Sequence, residues 1–153
     1  MRRYGALTFL LLAALAGCGG TGTTATPDSA TSAGYREGLI AHSQRIADAV
    51  VATNEACFAR SLADCAHTLE EQAARFREEA RWLRRTPTPQ GCDELASAYR
   101  DVADAAERFF ALVEGAVAQG EAEHVTAALG EGYPPFIRAL DGANGRLVGE
   151  ACR

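Results

Sequence analysis

An all-α fold, an up-down-up-down four-helix bundle preceded by a flexible tether, is predicted from three features of the chain. From Tyr35 onward, apolar residues recur at spacings of three and four, without the alternation that marks a strand. This stretch falls into four segments joined by short links, the arrangement of antiparallel neighbours. Cysteines stand at the ends of the segments, where that topology brings them together in pairs.

The first helix is expected over 36–59, with Leu39, Ile46, Val50 and Cys57 on its apolar face and Ile40 and Ala47 beside them. The second is expected over 62–86, carried by Leu62, Cys65, Leu69, Ala73, Phe76, Ala80 and Leu83. Thr86-Pro87-Thr88-Pro89 stops it, because proline disfavours helix before it and supplies no donor. The third, over 92–119, has the cleanest seam: Leu95, Tyr99, Val102, Ala106, Phe109, Val113 and Ala116 follow heptad spacing. Gly120 is its expected stop. The last helix is expected to be kinked or broken. Residues 122–129 form a short helix, Gly130-Glu131-Gly132-Tyr133-Pro134-Pro135 a kink or turn, and Phe136, Leu140, Ala143 and Leu147 carry the seam onward. Asn144 at its edge calls for a partner if buried.

Ahead of the bundle lie two segments of different character. Arg2 and Arg3 precede an apolar run from Leu7 to Ala16, much shorter than the roughly 20 residues that span a bilayer but right for an export signal. The run closes on Leu15-Ala16-Gly17-Cys18, which resembles the lipobox of bacterial lipoproteins. The resemblance implies a signal peptide over 1–17, cleavage before Cys18, and lipid on the Cys18 thiol, with fatty acyl chains such as palmitate holding the mature chain to a membrane. Gly19 after the cysteine implies sorting to the outer membrane. In a host without one, the anchor is the outer face of the cytoplasmic membrane. Residues 18–34, rich in Gly, Ser, Thr and Ala, read as a linker with a mean reach of about 20–25 Å, ahead of a bundle domain over 35–153.

With Cys18 lipidated, Cys57, Cys65, Cys92 and Cys152 remain, an even number in an oxidising compartment. Cys57 ends the first helix and Cys65 opens the second, at one end of the bundle. Cys92 opens the third and Cys152 closes the fourth, at the other. Disulfides Cys57–Cys65 and Cys92–Cys152 are therefore expected, since any other pairing crosses roughly 30 Å of helix.

Charge and composition narrow the function. The net charge is -5, and loss of Arg2 and Arg3 with the leader makes it more negative, against a nucleic-acid partner. No P-loop, dinucleotide fingerprint or nucleophile elbow is present, so no catalytic residue is assigned and no cofactor is expected. Two constellations stand out. Asp64, His67, Glu121 and His124 are candidate metal ligands, because Glu-x-x-His and Asp-x-x-His place both donors on one helical face. Arg81, Trp82, Arg84 and Arg85 crowd the end of the second helix beside the tether, and arginine with tryptophan is what a membrane interface favours. The expectation is a lipid-anchored, non-enzymatic envelope protein that binds a protein or another envelope component. The alternative is a metal- or small-ligand-binding bundle.

Overall fold

A computed structural model describes residues 31–149 and 152. The expected leader over 1–17, the lipidation candidate Cys18 and the expected linker up to residue 30 lie outside the described residues. The rest is a helical bundle of four helices: α1 Ser32–Ala59, α2 Leu62–Arg85, α3 Asp93–Gln119 and α4 Ala122–Gly149. Among the described residues there is no strand, and no helix is long and apolar enough to cross a membrane.

The helix ends follow local chemistry. α1 begins four residues before the periodicity predicts, inside the expected linker. Thr31 Oγ1 accepts from the Gly34 N–H at 3.1 Å, an N-cap that satisfies one of the helix's orphan donors. Tyr35 then falls inside the helix and is buried at 1% exposure, which gives this first turn a reason to fold. α2 starts at Ser61, whose Oγ accepts from the Asp64 N–H at 3.2 Å and donates to the Asp64 carboxylate at 2.7 Å. It ends at Thr86, ahead of Pro87. Gly120 closes α3 with φ 77°, a left-handed conformation that glycine adopts without a Cβ clash.

α4 departs from one of the two expected forms. No break interrupts 130–135, and the helix runs on with Pro134 and Pro135 inside it. Each proline lacks the N–H that the carbonyl four residues earlier expects, so Gly130 and Glu131 lose their acceptor bonds. Both residues are exposed, which lets water take the unmatched carbonyls. On the opposite side Leu129, Gly132 and Phe136 are buried. An ideal Cβ on Gly132 would lie 3.1 Å from the Phe109 backbone, so α4 lies close on α3 where it carries its prolines. Packing along α3 overrides the local propensity.

Every residue of the expected α3 seam is buried, and Phe109 meets its neighbour Phe110 and, across the α3–α4 contact, Tyr133 edge to face. Phe76 of α2 stacks on Phe110 at 5.0 Å. Ile40 is the exception to the α1 pattern. It is 48% exposed, because the buried face runs through Leu39, Ser43, Ile46 and Val50. Ser43 and Thr53 are buried without penalty, since each hydroxyl donates to a carbonyl of its own helix, Ile40 O at 3.0 Å and Ala49 O at 2.9 Å.

Two disulfides join the pairs the sequence predicts. Cys57–Cys65 bridges α1 to α2 and Cys92–Cys152 ties the start of α3 to the segment after α4. At the latter end Arg36 donates to the Leu147 carbonyl at 3.0 Å, one of the orphan acceptors in the last turn of α4. Tyr99 donates to Asn144 Oδ1 at 3.2 Å, supplying the partner that Asn144 calls for, although Asn144 itself is exposed. Burial pushes the Tyr99 phenol up to about 12, so it remains a donor at any physiological pH.

Candidate functional site

The most elaborate polar arrangement lies between α1 and α2, at the end where α1 begins. Tyr35, Gly38 and His42 stand at i, i+3 and i+7 of α1, on one face. Two helical turns, about 10 Å, separate Tyr35 from His42, and Gly38 leaves the space between them empty. The indole of Trp82, the one tryptophan of the chain, fills that slot. Its ring stacks on His42 at 4.0 Å and 14°, and on Tyr35 at 6.0 Å and 25°. A Cβ on Gly38 would lie 2.6 Å from Trp82 Cζ2 and closer still to Cη2. Gly38→Ala is therefore expected to cost about 1–3 kcal/mol, as overpacking does in a filled site. The change is read by urea unfolding and by a shift in Trp82 emission. Unchanged emission would show that the slot has room to spare.

His42 is also half of a hydrogen-bonded pair. Its Nδ1 lies 2.5 Å from Glu79 Oε2, and Arg45 Nε lies 2.8 Å from Glu79 Oε1. Arg45 Nη2 also approaches His42 Nδ1, at 2.9 Å. Nδ1 has one site and cannot both donate to the carboxylate and accept from the guanidinium. Were Nδ1 the acceptor, it would face an ionised carboxylate lone pair to lone pair. The proton therefore sits on Nδ1 and is donated to Glu79, and Arg45 only stands near the ring as a charge.

Burial holds the His42 pKa below its ordinary value of 6.5. The hydrogen bond to Glu79 opposes the shift and the Arg45 charge assists it. Burial alone would raise the Glu79 carboxyl, but the bonds from Arg45 and His42 and their charges outweigh it and hold the group below the usual 4.5. Both shifts act in the same direction on stability. A histidine whose folded pKa is depressed binds its proton more readily unfolded. Its contribution is complete above the unfolded value of 6.5 and is lost as pH falls toward the folded value. Glu79 adds stability that is present above its unfolded value and is lost as pH falls through the folded one. Trp82 emission is expected to titrate with a midpoint below 6.5 and to lose that step in His42→Gln. A midpoint above 6.5 would mean that Glu79, not burial, governs the ring.

An open groove of ≈ 550 Å³ runs along this site, lined by His42, Arg45, Glu78, Glu79, Arg81, Trp82, Arg85, Thr86 and Pro87. Among the described residues lining it, Thr86 carries the one hydroxyl. The arrangement offers cations and an aromatic wall rather than a nucleophile with its base.

The residues proposed from sequence fall into two groups, and the structure adds a third. Of the interface candidates, Trp82 is packed edge-on into α1 and only partly exposed. Arg84 is engaged across α2 and α3 by Asp104 at 2.7 Å and by Glu107, and their hydrogen bonds raise its pKa against a smaller opposing effect of burial. Arg81 and Arg85 make no hydrogen bond or ion pair among the described residues. The metal candidates do not assemble. Asp64 is engaged by Ser61 at the α2 N-cap, His67 is exposed, and Glu121 and His124 face each other at 3.6 Å in solvent. Among the described residues no group of three or more His, Cys, Asp or Glu is placed to hold a metal. His42, Arg45 and Glu79 form the third group, which the sequence reading missed. Glu79 lies 37 positions from His42, so only the α1–α2 register joins them. The readable signal was a glycine flanked by two rings on one helical face. No protein-family model, curated protein or solved structure matches the chain.

Proposed function

We propose that the chain is a lipid-anchored, disulfide-stapled module of the bacterial cell envelope, which acts by binding an envelope component rather than by catalysis. The observation that carries this reading is the cysteine pairing. Four of the five cysteines are joined as Cys57–Cys65 and Cys92–Cys152, bonds characteristic of an oxidising compartment. Cys18 then has no partner left within the chain, and it stands where the lipobox resemblance calls for lipid. Signal cleavage at 17, an acylated Cys18 and a tether leading to Ser32 complete the anchor. The mature chain would sit on the outer membrane, or on the outer face of the cytoplasmic membrane where no outer membrane exists.

The same reading orders the helices up, down, up, down, with a bend in α4 at Pro134-Pro135. Support comes from contacts at the tether end, where Tyr35 reaches Trp82 near the end of α2 and Arg36 reaches Leu147 near the end of α4. Arg81 and Arg85 then belong to the membrane-proximal end. The Cys57–Cys65 end is turned outward, with Phe58 75% exposed beside the bridge as an apolar contact for a protein partner.

Metabolic labelling with an alkyne analogue of palmitate tests the anchor. Label on the full chain that disappears in Cys18→Ala, with a mature amino terminus beginning at Cys18 by mass spectrometry, is expected. Label that survives Cys18→Ala, or a mature chain released in soluble form, would overturn the proposal.

A further inference from the structure

We infer that the α1–α2 groove binds a phosphate group through Arg81 and Arg85. Helix α2 carries its arginines in two states. Arg75 pairs with Glu71 at 2.6 Å, Arg77 with Glu114 at 2.9 Å, and Arg84 with Asp104 and Glu107. Arg81 and Arg85 have no partner among the described residues, and both line the groove. They stand four apart, on one face of the helix, with about 5–6 Å between their Cβ atoms.

The groove's other charges favour an anion there. Glu79 is held by Arg45 and by the His42 N–H, so its charge is already countered. Glu78 is the remaining carboxylate of the lining, set against two free guanidiniums. Each guanidinium is a planar fork that matches two oxygens of an oxyanion. A carboxylate has two oxygens and suits one fork. A tetrahedral phosphate has enough edges to engage both, and its higher charge offsets Glu78. Trp82, wedged between Tyr35 and His42, and Pro87 form firm apolar walls beside the forks, and Thr86 adds a hydroxyl. Two sources present this chemistry, free phosphate and the phosphate of an anionic lipid headgroup. The site stands apart from the anchoring proposed above, since a chain that never receives lipid still carries the groove.

Trp82 lines the site and is the one tryptophan of the chain, so its emission reports occupancy directly. The full chain is held in zwitterionic detergent micelles near pH 7.5 and titrated with inorganic phosphate, with sodium chloride of matched ionic strength as control. In a second arm it is reconstituted into vesicles of phosphatidylcholine with or without phosphatidylglycerol. Arg81→Gln/Arg85→Gln is expected to weaken the response at least about tenfold, the scale of a lost hydrogen bond to a charged group. Arg77→Gln/Arg84→Gln removes the same charge from the same helix and is expected to keep the response, while Glu78→Gln is expected to strengthen it. A response to inorganic phosphate identifies the free anion as a ligand. A response confined to phosphatidylglycerol vesicles identifies the headgroup. No response in either arm, or one lost equally in both double variants, overturns the inference.

Discussion

Removing the Cys92–Cys152 bridge by changing both residues to alanine is expected to lower the unfolding free energy by about 4 kcal/mol. The bridge joins residues 60 apart, and in the chain-entropy model the cost of closing so long a loop is what the cross-link withholds from the unfolded chain. Cys57–Cys65 spans 8 residues, and its loss is expected to cost less, about 2.5 kcal/mol. Alanine is the right replacement because Cys92 occupies the N-cap of α3 with no side-chain cap bond. Serine there would add a cap worth about 1 kcal/mol and mask part of the loss. Urea unfolding of the parent and the two double variants measures both effects. The long bridge should cost more than the short one, and its removal should also steepen the denaturant dependence, because a freed chain exposes more surface. Equal losses would show that loop length is not what the bridges act through. A loss of 4 kcal/mol is a large part of the 5–15 kcal/mol that holds a typical domain together.

Phe109→Ala is expected to be comparably damaging, at about 4 kcal/mol. Phe109 is fully buried, meets Phe110 edge-on at 5.4 Å and Tyr133 at 6.3 Å, and lies against Gly132. How much such a truncation costs depends on whether the neighbours can close the cavity. Here they cannot come closer. A Cβ at Gly132 would already lie 3.1 Å from the Phe109 Cα, so the backbones of α3 and α4 are near contact and the hole stays open. Phe109→Leu, which refills most of the volume, is expected to cost less than half as much. If the two substitutions proved equal, the aromatic ring would owe little to its packing.

The helical class and its seams were legible because they rest on periodicity. The α3 seam residues from Leu95 to Ala116 keep heptad spacing throughout, and all of them are buried. The cysteine pairing was legible for a related reason, since it depends only on which helix ends each residue occupies. Three features were not. Pro134-Pro135 breaks helices locally, and only the close approach to α3 at Gly132 holds α4 through them. Residues 32–34 look like linker, yet Thr31 caps a helix that includes them and Tyr35 buries itself against the bundle. α1 is rich in alanine and glycine, so its buried face is weakly marked, and nothing in the spacing separates Ile40, 48% exposed, from that face.

The site was harder still. Trp82, Arg81 and Arg85 were singled out by composition, but their meaning depends on which arginines find acidic partners on α3. Arg84 reaches Asp104 and Glu107, and Arg81, one turn earlier, makes no such pair. Helical periodicity places a residue on a face without saying what stands opposite. Spacing along α1 gives His42 no acidic partner for that reason, because Glu79 and Trp82 reach it across the α1–α2 contact.

The order of the cysteines along the chain has a consequence for maturation. Each bridge joins cysteines that are consecutive in sequence, Cys57 with Cys65 and Cys92 with Cys152. On the export route proposed above, in which the chain crosses a membrane from its amino-terminal side, an oxidant meets Cys57 and Cys65 before Cys92 arrives, and by then both are bonded. Cys92 waits while 60 further residues are delivered, with no free bundle thiol to capture it until Cys152 follows. Oxidation in order of arrival therefore reaches the native connectivity directly, and a disulfide isomerase has nothing to correct.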